Sequence, residues 1–251
     1  MDKFPENHGK LSRLGKSFCP SPIQELSQMA QRHGAINLAE GFPDFPASSP
    51  IKNAAISAIN SDFNQYRHVQ GICDLLASIM KSTHGLEFDP LTDIAICCGQ
   101  TEAFAATVFA VVDFGDEVIL FDPSYETYDC CIRMAGGIPV FVELEPPNWC
   151  LNPEKLLQAF TPKTKAVVIN SPQNPTGKVF SKEELAIIAE ACRENDCLAI
   201  TDEVGVSFIV GLLFTDVISN GSFVLRCTNT SHTIIYPTLR FPPFRKCSQG
   251  R

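Results

Sequence analysis

The stretch KAVVINSPQNPTGKVFSKEELAIIAEACRENDCLAITDEV, residues 165–204, decides the fold. Its first six residues are a near-continuous apolar, β-branched run, the pattern of a strand buried on both faces. Ser181, followed three positions later by Glu184, is a capping box that opens an amphipathic helix running to about Asn195. Residues 197–202 (CLAITD) then make a second apolar strand. Strand, helix and strand in this order imply a right-handed crossover between parallel strands.

The pattern repeats upstream. Residues 93–98 (DIAICC) read as a strand stopping at Gly99, and 100–112 as a helix apolar all round and therefore buried. Residues 117–121 (EVILF) are a further strand. A helix over Tyr125–Ala135 ends at Gly136-Gly137, a helix-stop signal, and 138–144 (IPVFVEL) is the next strand. The predicted fold is therefore α/β, a mainly parallel sheet flanked by helices. The first 90 residues differ: Pro-rich loops such as GFPDFPASSP (41–50) surround helical stretches at about 50–60 and 71–84. They read as an N-terminal arm and part of a smaller domain.

Composition narrows the function classes. With 45% hydrophobic residues among 251, the chain can bury a sizeable core, and no apolar run reaches the roughly 18–20 residues needed to span a bilayer. A net charge of −8 argues against a nucleic-acid partner. The 11 cysteines include no CxxC, and no His lies at ligand spacing from a Cys pair, so buried free thiols are expected and a metal site is not. The N-terminus, MDKFPENHGKLSRLG, has no signal-peptide pattern, and the expected location is the cytoplasm. Charge is unevenly spread: residues 205–251 hold one acid and five bases, a net of +4 against −12 for residues 1–204.

In doubly wound sheets ligands bind beyond the carboxyl ends of the strands. Three polar sets lie there. Gly99-Gln100-Thr101-Glu102 joins a strand to a helix N-terminus, where free N–H groups can cradle a phosphate; the bland alternative is an ordinary capped turn. Asn170 to Gly177, with two Asn and two Pro, makes a stiff polar loop or simply a turn. Asp202 closes a buried strand, placed either to hold a ring nitrogen protonated or to cap a following helix. A nicotinamide site lacks support, because no GxGxxG fingerprint is present.

Together these sets resemble the fold-type I pyridoxal-phosphate enzymes, specifically class I/II aminotransferases of the kynurenine aminotransferase-like subgroup. The resemblance runs from about Ser21 to Val204 through AINLAEGFPDFP (35–46), FNQY (63–66) with Gly71, and CGQTEA (98–103). It continues in GDEVILFDPSYETY (115–128), AGG (135–137), SPQNPTGKVFSKEEL (171–185) and ITDEV (200–204). It implies pyridoxal 5'-phosphate as cofactor, an amino acid and a 2-oxo acid as substrates, and kynurenine- or methionine-like donors; carbon–sulfur β-elimination on the same cofactor is a related activity. By position, Gln100 and Thr101 would hold the cofactor phosphate and Tyr125 would stack on the ring. Asn174 would bond the phenolic oxygen, with Asn170 nearby, and Asp202 the ring nitrogen. Gly41 would lie at the substrate carboxylate, and Tyr66 would reach the partner subunit's phosphate in a homodimer.

After Val204 the resemblance stops. Gly205 stands where the family carries a tyrosine, and no Ser/Lys-rich motif follows. Lys246 is the only lysine in residues 205–251 and has no family context, so the Schiff-base lysine is read as absent. The phosphate- and substrate-binding arginines implied by the family are read as absent too. The expected organisation is 1–45 as arm and substrate loop, 46–204 as a truncated cofactor-binding large domain with small-domain elements, and 205–251 as a non-homologous, poorly ordered tail. Such a chain would be a non-catalytic form that binds cofactor weakly or pairs with a full-length subunit. The sheet would expose an edge beyond the strand ending at Asp202, with the apolar run 208–214 as a possible cover.

Overall fold

The computed structural model describes residues 10–41, 45–65, 70–204, 224–229 and 233–237. The chain divides into two compact units, Met1–His68 and Val69–Arg251. In the first, α1 (Arg13–Ser17), α2 (Pro22–His33) and α3 (Ser49–Asn60) follow one another. The sequence reading leaves α2 within the arm, although its ends are well marked. Ser21 caps it, Pro22 occupies the first turn, and Gly34 ends it in the left-handed conformation at φ 60°. Ser27 of α2 donates to Glu40 at 2.6 Å and accepts from Asn37 at 3.1 Å, which ties the loop before Gly41 to the helix.

The second unit runs α4 (Gln70–His84), β1 (Ala95–Cys97), α5 (Gly99–Val111), β2 (Glu117–Asp122), α6 (Glu126–Met134) and β3 (Ile138–Glu143). It continues with α7 (Pro153–Ala159), β4 (Thr164–Asn170), α8 (Lys182–Glu194), β5 (Leu198–Val204), β6 (Val224–Asn229) and β7 (Thr233–Pro237). The strands form one sheet in the order β1-β7-β6-β5-β4-β2-β3. β7 is antiparallel to both neighbours and the other pairs are parallel, which agrees with the α/β, mainly parallel reading.

Alternation along the strands serves both faces. Val118 and Leu120 of β2, Ala166 and Val168 of β4, and Ile200 of β5 pack with Phe104 of α5 and Ile132 of α6. Ile119, Phe121, Val167, Ile169 and Ala199 point the other way, against Leu156 of α7 and Leu185 and Ile188 of α8. α6 and α8 meet this demand with an apolar stripe, whereas α5, apolar all round and expected to be buried, buries one face and leaves Phe109 55% exposed. The capping box of α8 is formed as read, Ser181 and Glu184 bonding reciprocally.

The expected bare edge beyond Asp202 is not there. β6 pairs in parallel with β5 from Ala199 to Val204. Neither β6 nor β7 is legible in the local sequence. The stretch is rich in Ser, Thr and Asn, and β-branched residues such as Val224, Ile234 and Ile235 make strands only once neighbours are present. The run 208–214 and Lys246 lie outside the described residues; of the tail 205–251, expected to be poorly ordered, residues 224–229 and 233–237 form β6 and β7. Nine cysteines are described, all free. Cys73, Cys131, Cys192 and Cys197 are buried as expected, but Cys19, Cys98 and Cys150 are exposed, because they sit on loops and termini rather than on inward faces. No described helix is long and apolar enough to cross a membrane.

The turn from α6 into β3 is tight. A Cβ added at Gly137 would meet Val112 Cγ1 at 2.7 Å and Ile132 Cγ2 at 3.0 Å, both in the core. Gly137→Ala is expected to lower stability by about 1–3 kcal/mol through overpacking, as read from urea unfolding midpoints.

Candidate functional site

Four strand ends place polar side chains on one side of the sheet. β1 delivers Gln100 and Thr101 in the first turn of α5, and β2 delivers Tyr125 and Tyr128 at the start of α6. β4 ends at Asn170 and leads to Asn174, while β5 carries Asp202 directly opposite Asn170 in the parallel ladder. These residues line a cavity of about 230 Å³. Six sequence-predicted positions, Gln100, Thr101, Tyr125, Asn170, Asn174 and Asp202, thus come together. Gly41 is exposed and belongs to the first unit, and Tyr66 lies outside the described residues.

The Asn170 loop is fixed by its own hydrogen bonds. Asn170 Nδ2 donates to the Asp202 carbonyl at 3.1 Å, and Ser171 N donates to the same oxygen at 3.0 Å. Asn170 Oδ1 accepts from the Asn174 amide at 2.6 Å, so one side chain joins two strands to the loop. Gln173 N donates to the Lys178 carbonyl at 2.8 Å, and Gly177, at φ 73°, closes the turn. Asn174 is therefore held on a rigid support.

Gly99, at φ 82°, turns the chain from β1 into α5, a conformation that favours glycine. The space where its Cβ would stand is open. Cys98 at the N-cap makes no side-chain cap, so first-turn N–H groups of α5 remain available to an anion. Glu102 complicates this end, since its carboxylate accepts from Cys98 N.

Asp202 dominates the electrostatics. It is 2% exposed and is the only charged residue among the described residues lining the cavity. Oδ2 accepts from the Tyr128 hydroxyl at 2.5 Å, while the buried Oδ1 has no hydrogen-bond partner. Burial pushes the carboxyl up to about 6; the Tyr128 hydroxyl and, more weakly, the Gln100 amide pull it down. Gln100 Nε2 is itself buried without a hydrogen bond of good geometry. Buried polar atoms left unpaired are rare and costly, which marks this corner as built for something not part of the chain.

Tyr128 is the residue that sequence reasoning missed. It lies three positions after Tyr125, one turn along the same helix, and that spacing is the signal that could have found it. Its ring packs on Phe104 at 4.6 Å between centroids and edge-on to Tyr125 at 5.6 Å.

Comparison with known proteins agrees with this geometry. Residues 33–239 match the family described as aminotransferase class I and II, a range that extends 35 residues past Val204 and includes β6 and β7. The chain is 40% identical over 200 residues to human kynurenine--oxoglutarate transaminase 1, covering 73% of this chain and 47% of that protein. It is also 40% identical over 199 residues to a probable N-succinyldiaminopimelate aminotransferase of Mycobacterium tuberculosis, covering 77% and 50%. Among solved structures, N-succinyldiaminopimelate aminotransferase from Mycobacterium tuberculosis superposes with a TM-score of 0.78 at 30% identity, covering 90% of this chain and 64% of that one. Aspartate aminotransferase from Thermus thermophilus gives 0.79 at 28% identity, with the same coverage. The chain belongs to the class I and II aminotransferase family. It spans about half the length of the curated relatives it matches.

The cofactor of this family is pyridoxal 5'-phosphate, and the cavity suits it. A protonated ring nitrogen would supply the donor that Asp202 Oδ1 lacks, Tyr125 would offer an aromatic face, and the open turn at Gly99 would give access to the N–H groups of α5.

A carboxyl raised from 3.8 to about 6 binds its proton more tightly when folded. Its contribution to stability is present below about pH 4 and is lost as pH rises through 6, by on the order of 3 kcal/mol. Asp202→Asn removes that titration. Relative to wild type, the variant should gain about this amount between pH 4 and pH 7 in ligand-free urea unfolding; a constant difference would contradict the raised carboxyl.

Proposed function

We propose that this chain carries the cofactor-binding part of a transaminase, a site for moving an amino group from an amino acid to a 2-oxo acid. The observation that carries the reading is the buried carboxylate of Asp202, one oxygen unpaired, in a cavity shared with Tyr125 and Asn174. Asp202 pairs with the cofactor's ring nitrogen, Tyr125 covers a ring face, and Asn174 donates to the phenolic oxygen without adding charge. Gln100, Thr101 and the N–H groups of α5 hold the phosphate. Bound there, pyridoxal phosphate supplies an electron sink for bonds broken at an amino acid's Cα. Asp202 keeps the nitrogen proton in place, and Asn170 holds Asn174 at its distance. The resemblance adds kynurenine- or methionine-like donors, a related β-elimination, Gly41 at the substrate carboxylate and Tyr66 in the partner's site of a dimer.

A second reading concerns the 251 residues by themselves. They hold no lysine matched to the family's Schiff-base position, the only lysine after Val204 being Lys246. On this reading the chain binds cofactor without covalent attachment, does not transaminate alone, and pairs with a second copy or a full-length subunit.

Titrating the purified chain with pyridoxal 5'-phosphate tests both. Saturable binding is expected by absorbance and Trp149 fluorescence, with no lysine adduct after borohydride. Asp202→Ala and Asn174→Ala should each weaken it about 10-fold or more, the worth of a hydrogen bond to a charged or buried group. No saturable binding would sink the first reading. A borohydride-stable lysine adduct together with amino transfer would sink the second.

A further inference from the structure

Asp202 is a two-oxygen acceptor in a buried corner, and its two oxygens are treated differently. Oδ2 is held at 2.5 Å by Tyr128, and Oδ1 is bare. Tyr128 is 2% exposed and is clamped between Phe104 and Tyr125, so its hydroxyl has little freedom to leave the carboxylate. The backbone of Asp202 is fixed as well, in the ladder between Asn170 and Cys227 and through its carbonyl. With the main chain held and one oxygen bonded, the plane of the carboxylate is set and one oxygen is left to accept.

We propose that Tyr128 is a positioning residue for the cofactor nitrogen: it occupies Oδ2, fixes the carboxylate rotamer, and leaves Oδ1 as the acceptor for a cationic ring N–H. The inference rests on the transaminase reading for the identity of that cation, but the Tyr128–Asp202 pairing stands without it. The hydroxyl also opposes the effect of burial on the carboxyl, which helps keep Asp202 ionised near neutral pH. Among the described residues lining the cavity, the other groups near the carboxylate are the neutral amides of Gln100, Asn170 and Asn174, the hydroxyl of Thr101 and the phenol of Tyr125. Of these groups Tyr128 pulls hardest against the effect of burial, with Gln100 second. In sequence the pair is separated by 74 positions, yet it is brought together by the adjacency of α6, β4 and β5.

The test uses the full 251-residue chain with Tyr128→Phe, which keeps the ring contacts and removes only the hydroxyl. Two quantities are read. The first is the titration midpoint of Asp202 by carboxyl ¹³C NMR without ligand. It should lie near 6 in wild type and move up in Tyr128→Phe. 3,5-Difluorotyrosine at position 128, a stronger donor of the same shape, should move it down. The second is the dissociation constant of pyridoxal 5'-phosphate from pH 5.5 to 8.5. In Tyr128→Phe it should rise about 10-fold at pH 7, with the acidic limb of the profile displaced upward. A role confined to packing leaves both the midpoint and the limb where they are, and that result overturns the proposal. Failure of wild type to bind pyridoxal 5'-phosphate overturns the transaminase reading, while the ligand-free midpoints still decide the role of Tyr128.

Discussion

Everything at the site depends on keeping a carboxylate, Asp202, buried at the carboxyl end of β5 with one oxygen unpaired. Desolvation opposes the charge, and the carboxyl rises to about 6 as a result. A buried acid in that state is tolerable only where the surroundings cannot relax to swallow it. The structure meets that condition by fixing Asp202 from several directions. Its carbonyl takes hydrogen bonds from Asn170 and Ser171, its strand is paired on both sides, and Oδ2 is held by Tyr128. The same bonds position Asn174, because Asn170 serves both residues. The cost of burying this carboxylate and its capacity to accept one more hydrogen bond are two descriptions of one arrangement.

That rigidity is a property of the sheet. β5 is internal, with β4 on one side and β6 on the other, and both faces are packed by helices. Among the described strands the edges are β1 and β3. β1 is three residues long, and β3 carries Pro139, which cannot donate to a further strand, and ends at Glu143. Short length, proline and charge are the usual ways of keeping an edge from recruiting another chain. The exposure expected at Asp202 from the sequence is therefore displaced to two edges that are poor templates.

How much of this was legible follows from distance along the chain. The 165–204 unit could be read because a buried strand, a capping box and a second strand are each local signals, and every one is in place. The site residues could be read because the strand ends of a doubly wound sheet face one crevice, so Gln100, Asn174 and Asp202 needed only their strands. Tyr128 could not, since its importance lies in a partner 74 positions away. β6 and β7 escaped for a related reason. Their apolar runs, Val224-Leu225 and Ile234-Ile235-Tyr236, are short and set among Ser, Thr and Asn, and they gain strand structure from neighbours such as β5 and β1, contacts that no local pattern encodes. α7, with Asn152 accepting from Glu154 N and Lys155 N, has a clear N-cap, but its seven residues are too few for a periodic apolar pattern to show in the sequence.

On the proposed reading, charge also decides which end of the cofactor this chain grips. The lining residues described here hold one charge, a negative one, and the cofactor brings an anionic phosphate and a cationic ring nitrogen. The nitrogen meets Asp202 in a dry corner, where a charge-assisted hydrogen bond is strong. The phosphate meets the α5 N-terminus, equivalent to roughly half a positive charge. There Glu102 already takes the Cys98 amide and places a carboxylate in the first turn. Thr101, on the solvent side, adds a hydroxyl but no charge. Within the described residues the ring end is therefore the better held of the two. Affinity should follow the protonation state of Asp202 more closely than the ionic strength that screens the phosphate.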